Sequence, residues 1–486
     1  MLYNLNFLQQ GAIFPPAEEI KRLEAYRVNA MLARDEAWSA LPEYKKRVMY
    51  LLSRFALAEE NVYFFTANYW SDLVSKTQEL LYGDFPEFTN DKSDPLFDEI
   101  FNETDFSEKV VEGLEDFVSL GDWVTKAIET ENGTSFINIA PSTWFPVVSI
   151  ENVKEVKYHV LAWVVPISKK YSELHVQIHE KGKCTNKAFM LEDYNKDSYF
   201  IDSVTCQKVY YETYKIGVEL LESKTDFKLG AWKTGLNDFA VIHSANNANA
   251  RSIFGTSDFD LITDSVMEYN VRRTLNSVVL DKHSAPIMSG PPISGDLSQG
   301  NYIEVHEGDT APSYLTWDAN MQACKDAIDG YKEDIANLSG MGSLLSSKTF
   351  GESQGYDALM IKLAPALMRA ARKRTLVSAH LKKLLSSLAS KRGISIAPSE
   401  ILINWHDSIP TTESVRADIA QKHLATGWSM KRVLMQDYGL TEEEADAEIE
   451  QKRIEAPQMP IFGGLDENTD NEPTDEENAD KGGDNA

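Results

Sequence analysis

Little in this chain invites covalent or metal chemistry. Cysteine is nearly absent, three in 486 residues. Cys184, Cys206 and Cys324 form no C-x-x-C pair and cannot all pair within one chain, which excludes a disulfide framework and fits a reducing compartment. The sequon at Asn132-Gly133-Thr134 then carries no weight. No apolar run reaches the roughly 18 residues of a membrane span, so no membrane partner is expected. Met1 to Pro16 lacks a basic n-region and a cleavage-like site, and no signal peptide is expected. Positive charge is also in deficit, with 48 Lys and Arg against 75 Asp and Glu and a formal net charge of −27. That excludes tight phosphate binding over most of the surface, though not a channel through which DNA slides without sticking.

The motifs of common chemistries are missing too. There is no G-x-x-x-x-G-K-[ST] loop, no G-x-G-x-x-G after a strand and no G-x-S-x-G elbow. His175 and His179 have the spacing of a helical metal pair. They lie in a strand pattern, however, where His175, Gln177 and His179 share one face, expected to be exposed and polar. His406-Asp407 lacks a nucleophile and reads as a turn after a strand. No catalytic, cofactor-binding or metal residue is expected, and the chain is not read as an enzyme.

What is present is an α+β chain too long for one core. Pro15-Pro16 with Glu18 and Glu19 starts a helix running towards Ala33. Further amphipathic stretches lie near 44–57, 69–81 and 107–130. From Ser135 the period falls to two, predicting antiparallel strands at 136–139, 147–150, 157–165, 173–179 and 209–214, with a turn at Lys181-Gly182-Lys183. Residues 257–392 then form a unit of rods and a tip. Ser257 and Asp260 resemble a capping box. Phe259, Ile262, Val266, Tyr269, Leu275 and Val279 repeat at helical spacing until Pro286, a rod of roughly 40 Å. A Gly- and Pro-rich module follows, with a strand at Tyr302 to Val305 and a turn at Glu307-Gly308-Asp309.

Asp318 can cap a second rod, whose stripe is Met321, Cys324, Ile328, Tyr331, Ile335 and Leu338; Cys324 is expected in the core. Glycines 340, 342, 351 and 355 break the pattern before a long helix over 356–392, interrupted by Pro365. Between Ala358 and Ser399 no acid occurs, yet Lys362, Arg369, Arg372, Lys373, Arg374, Lys382, Lys383, Lys391 and Arg392 do. Pairing with acidic neighbours is the first reading of this run and phosphate contact the second. A strand at 401–403 and three short helices close the ordered part. Their caps are Thr411 or Thr412, Ser429 with a stop at Gly439, and a Thr441/Glu444 box. The acidic stretch from Asp466 to Asp484 is expected to be a disordered tail.

Four stretches, taken in order, resemble the portal proteins of tailed double-stranded DNA phages, and the siphophage portal family most closely. They are Phe254 to Phe259 leading into Glu268-Tyr269-Asn270; Gly300 to Val305 through Tyr314-Leu315; Ser339-Gly340-Met341 with Ser353 to Leu359; and Gly427-Trp428-Ser429 through Gly439 to Ala445. Where the family has a compact S-G-x-A-L, this chain has the longer Ser353-Gln354-Gly355-Tyr356-Asp357-Ala358-Leu359, and its tip is short. The resemblance implies a portal-type fold: a wing over 1–256, stem helices over 257–285 and 317–338, a clip over 286–316 and a tunnel loop over 339–356. A wing helix and strand over 357–410, a crown over 411–455 and the acidic tail over 456–486 complete it.

It further implies a ring of about twelve copies at one capsid vertex, assembled in the bacterial cytoplasm and carried in the virion. Double-stranded DNA would pass through the ring. Its partners would be the terminase large subunit, major capsid and scaffold proteins, and a head-completion or adaptor protein. DNA-facing residues would then be Ser346, Ser347, Lys348 and Thr349, and terminase-facing residues Tyr302, Glu304, His306 and Glu307. Stem packing would fall to Met321, Ile328, Tyr331, Ile335 and Leu338. The competing readings are an adaptor or minor capsid protein without a channel, and a nucleic-acid-processing enzyme using the basic helix and a carboxylate cluster.

Overall fold

The computed structural model describes residues 1–53, 59–90, 94–130, 133–168, 171–193, 199–201, 208–210, 213–283, 287–290, 301–304, 314–315, 321–345, 356–405 and 413–455. The chain is mixed helix and strand, and divides into two units, residues 1–409 and 410–486. In the first unit, strand β1 (Ile13–Phe14) precedes helices α1 (Ile20–Ala33), α2 (Ala37–Ala40), α3 (Pro42–Leu52) and α4 (Tyr69–Tyr82). Strand β2 (Glu87–Asn90) and helices α5 (Asp94–Thr104) and α6 (Phe106–Ser119) lead into β3 (Asp122–Thr130) and β4 (Gly133–Ile139). The expected helix over 107–130 therefore stops half-way. Gly121, at φ +91°, turns the chain, and Trp123, Val124, Thr125 and Ala127 enter a strand whose pairing with β4 overrides local helical preference.

Strands β5 (Trp144–Val148), β6 (Val156–Ser168), β7 (Tyr171–Glu180), β8 (Lys183–Asp193), β9 (Tyr199–Ile201), β10 (Lys208–Tyr210), β11 (Tyr214–Glu219), β12 (Gly230–Lys233) and β13 (Val241–Ala245) follow. The principal sheet has seven strands in the order β1-β11-β8-β7-β6-β5, with β12 also paired to β8. The stretch expected as one strand over 209–214 is two, β10 and the start of β11. β13-β3-β4 form a second sheet, on which α6 packs through Val110, Leu114 and Phe117. The turn at Lys181-Gly182 is as expected, with Gly182 at φ +73°.

The polar face of β7 is a correction. His175 and His179 are 3 % and 1 % exposed, not solvated. The segment after β11 folds back over that face: Phe227 stacks on the His175 ring at 4.3 Å, and β12 closes against β8. Alternation identified the face but not its cover.

The rest of the first unit is helix α7 (Thr263–His283), strands β14 (Ile287–Gly290), β15 (Asn301–Glu304) and β16 (Tyr314–Leu315), helices α8 (Met321–Ser339), α9 (Gly342–Leu345) and α10 (Tyr356–Lys391), and strand β17 (Ile401–Asn404). β17 is the expected strand and pairs with β2. The second unit holds α11 (Glu413–Ala425), α12 (Met430–Tyr438) and α13 (Glu442–Glu455). Its caps are those read from the sequence. Ser429 accepts from the Arg432 amide, Gly439 ends α12 at φ +72°, and Thr441 and Glu444 cap reciprocally. Residues 411, 412 and 456–486, with the cap and tail expected there, lie outside the described residues, as do His406-Asp407. No helix among the described residues is long and apolar enough to cross a membrane.

Three buried histidines set a pH dependence. Burial holds His159 and His380 well below the ordinary imidazole pKa, with nearby His243 and Lys383 lowering both further, and pushes His179 down to about 3 with help from Lys126. A group whose folded pKa is depressed contributes stability above its unfolded pKa, here about 6.5, and loses it as pH falls. Asp116 opposes this below neutrality, because burial, with Glu115 and Glu112 adding to it, raises its carboxyl to about 7. The net is two protons, or at most roughly 2.7 kcal/mol of stability lost per pH unit below 6.5. Urea midpoints measured from pH 7.5 down to 5.5 should fall; a flat or rising midpoint would contradict neutral core histidines.

Candidate functional site: a helical hairpin and its anchor

α7 and α8 pack against each other and are joined through the β15-β14-β16 sheet, in which β15 runs parallel and β16 antiparallel to β14. The first rod is shorter than expected. Ser257 does not cap it: its hydroxyl donates to Ser119 O at 2.5 Å and accepts from the Phe259 amide, forming a 3-10 turn at Phe259–Leu261, and the α-helix begins at Thr263. Its 21 residues span roughly 32 Å.

The inner face of α7 carries polar groups as well as Val266, Val271 and Val278. Asn270 Oδ1 accepts from the Ala67 amide, Thr274 Oγ1 from the Phe65 amide, both at 2.9 Å, and Thr263 Oγ1 from the Trp70 indole at 3.1 Å. An extended segment before α4 thus spends its backbone donors on the helix, which satisfies the buried Asn270 Oδ1 and Thr274 Oγ1, while the buried Asn270 Nδ2 has no partner among the described residues. Tyr44 donates to Asp264 at 2.9 Å and Arg47 pairs with Glu268, fastening α3 to the same rod.

On α8, Ile328 and Ile335 are buried and Tyr331 packs against the same core, as the stripe predicts. The stripe fails at its ends. Leu338 is 48 % exposed and Cys324 is exposed, correcting its assignment to the core. Residues 322–327 are all exposed, with no neighbour among the described residues to cover this part of α8. Met321 opens α8, and Tyr302 and Glu304 lie in β15. His306, Glu307, Asp318, Ser346, Ser347, Lys348 and Thr349 lie outside the described residues. The region expected as a loop after α8 contains the helical turn α9.

Both roots of the hairpin converge on α10. Asp258, fully buried just before α7, meets Arg369 Nη2 at 2.9 Å and Lys373 Nζ at 2.8 Å. Arg369 Nη1 also donates to Ser339 O, the end of α8. One guanidinium therefore ties the entry of the hairpin to its exit. Asn246 completes the anchor, accepting from Lys373 at 2.6 Å and donating to Asp258 at 3.0 Å, while Asn247 donates to Asp258 at 2.9 Å. Burial alone would raise the Asp258 pKa; the Lys373 ammonium and Arg369 guanidinium overcome this and hold it below the usual carboxylate value. Two glycines make room. A Cβ on Gly255 would sit 2.0 Å from Gly121 O, and Gly340, at φ +66°, lies against Arg369, where a Cβ would be 3.3 Å from Nη1.

The basic run of α10 is thus largely spent inside the chain. Besides Arg369 and Lys373, Lys391 pairs with Glu129 at 2.8 Å, Arg392 with Glu103 at 2.6 Å, and Arg374 donates to Leu80 O.

Two other clusters have catalytic residue types but not catalytic geometry. Ser223 donates to Glu173 Oε2 at 2.6 Å and lies 3.3 Å from His175 Nε2, which is itself 3.0 Å from Glu173 Oε2. A relay needs acid and nucleophile on opposite ring nitrogens, and here both meet one. The Lys224 amide and Tyr171 hydroxyl also bond Glu173, making it a clasp for the 223–227 loop. Cys184 lies 3.7 Å from His179, but burial pushes the thiol up to about 11 despite Lys126, so no thiolate forms near neutrality. Among the described residues no group of three or more His, Cys, Asp or Glu could hold a metal. Comparison with protein-family models finds no match, and no curated protein matches the chain.

Removing Asp258 would strand Lys373, 2 % exposed, as a buried unpaired charge. Asp258→Ala should cost about 3–5 kcal/mol in urea unfolding. Adding Lys373→Met should recover part of that loss, and strictly additive losses would contradict a coupled pair. Gly340→Ala should destabilise by at least about 1 kcal/mol through its left-handed backbone and the Arg369 contact; an unchanged melting temperature would refute that constraint.

Proposed function

We propose that this chain is a portal protein. Copies would form a ring at one capsid vertex, through which double-stranded DNA is packaged with terminase and later ejected, and to which head-completion proteins attach. The observation that carries the reading is the order helix, small sheet, helix, α9 turn and long helix, in which the sequence resemblance and the hairpin geometry coincide. A hairpin fixed at its roots suits a wall built from neighbouring copies, because residues 322–327 and Leu338, exposed among the described residues, would be covered there by another subunit.

Charge agrees with passage rather than capture. α8 carries Asp326, Asp329, Glu333 and Asp334 against Lys325 and Lys332, so a lining drawn from it would repel phosphates. The cations of α10 that are already paired internally favour the same reading over a nuclease that grips its substrate. Ring formation is the test. Negative-stain electron microscopy of purified protein should show closed rings near twelve-fold with an axial opening that admits a duplex. Strict monomers under all assembly conditions, or rings closed at the axis, would overturn the proposal.

A further inference from the structure

A cavity of about 650 Å³ opens between the last turns of α10, β13, the 236–239 loop and residues 395–398, away from the hairpin anchor. Its volume lies in the range of small-molecule sites. Trp144 Nε1 donates to His159 Nδ1 at 3.0 Å, and an indole can only donate. The neutral His159 ring therefore carries its proton on Nε2. That imidazole is 5 % exposed and lines the cavity, and its Nε2–H has no partner among the described residues.

The same wall holds Lys383, Ser387 and Ser390, at i, i+4 and i+7 on one face of α10. Lys383 makes no ion pair among the described residues, in contrast to the anchored cations elsewhere on the helix. The carbonyls of Leu388, Ala389 and Ser390 are taken by the amides of Arg392, Gly393 and Ile394, so they do not supply competing negative charge. Asp238 at the rim is matched by Lys181 at 3.6 Å, and Lys154 donates to Ser252 O at 2.5 Å beside Glu155. Three lysines against two carboxylates leave the cavity positive in a chain of net charge −27. Phe239 and Ile396 supply apolar wall.

We propose that this cavity binds a small organic oxyanion, a phosphate or carboxylate carried on an apolar or aromatic body. Lys383 Nζ, His159 Nε2–H and the Ser387 and Ser390 hydroxyls hold the anion, and the body lies against Phe239 and Ile396. A neutral imidazole donor suits the role, since it contributes a directed hydrogen bond without burying a charge, while the cation comes from Lys383 on the exposed side of the cavity. The site does not depend on ring formation.

Thermal-shift and calorimetric titrations of the full chain with phenyl phosphate, benzoate and phenol test the proposal. Phenyl phosphate or benzoate should bind saturably, and the tighter of the two identifies the anion; phenol, with the same body and no charge, should not bind. Lys383→Met should weaken binding about tenfold or more, the loss of one charge-assisted contact, while leaving the ligand-free melting temperature unchanged. Ser390→Ala should weaken it less, and Lys382→Met, outside the cavity, should bind as wild type. No saturable binding of either anion, equal binding of phenol, or undiminished binding by a folded Lys383→Met protein would each overturn it.

Discussion

Asp258, Arg369 and Lys373 decide how the rest of this molecule is held. A carboxylate with no exposure is costly unless paired and hydrogen-bonded, and here two cations and two amide side chains surround it. The arrangement is also topological. Asp258 precedes the hairpin, Ser339 ends it, and Arg369 touches both from α10. α7 is packed along its length through Val271 and Val278, whereas α8 is exposed over 322–327 among the described residues, so contacts at its base help to fix its direction. Polar groups do this better than a greasy patch, because their geometry is specific where apolar contact is not.

A second polar hub works similarly on the β side. Asp122, fully buried, accepts from Tyr26 at 2.5 Å, His243 at 2.6 Å and the Gly255 amide at 3.0 Å. It joins α1, β13 and the segment leading into Asp258. The two hubs are three residues apart at Gly255 and Asp258, so the approach to the hairpin is pinned on both sides. Gly255 has no space for a side chain there, which explains a glycine in that stretch without appeal to flexibility.

What the sequence disclosed was local. The caps at Ser429 and Thr441, the stop at Gly439, the β7–β8 turn and the length of α10 all depend on residues within a few positions of each other. The half of the α8 stripe that touches its own chain was legible, while Cys324 and Leu338 obeyed the same period without a neighbour among the described residues to bury them. What escaped was long-range. Nothing near Lys373 announces Asp258, 115 positions earlier, and Asn270 and Thr274 look like flaws in a stripe until the amides of Ala67 and Phe65 arrive. β3 and β8 were hidden because mixed polar composition becomes strand only when partners are present.

The central claim is that the Asp258 ion pairs, rather than general apolar packing, fix the base of the hairpin. Hydrogen–deuterium exchange of Asp258→Asn against wild type tests this most directly. The account predicts faster exchange at 255–262, 339–344 and 366–374, with the β6-β7-β8 sheet unchanged. Protection at those three segments equal to wild type, in a protein that is otherwise folded, would contradict it.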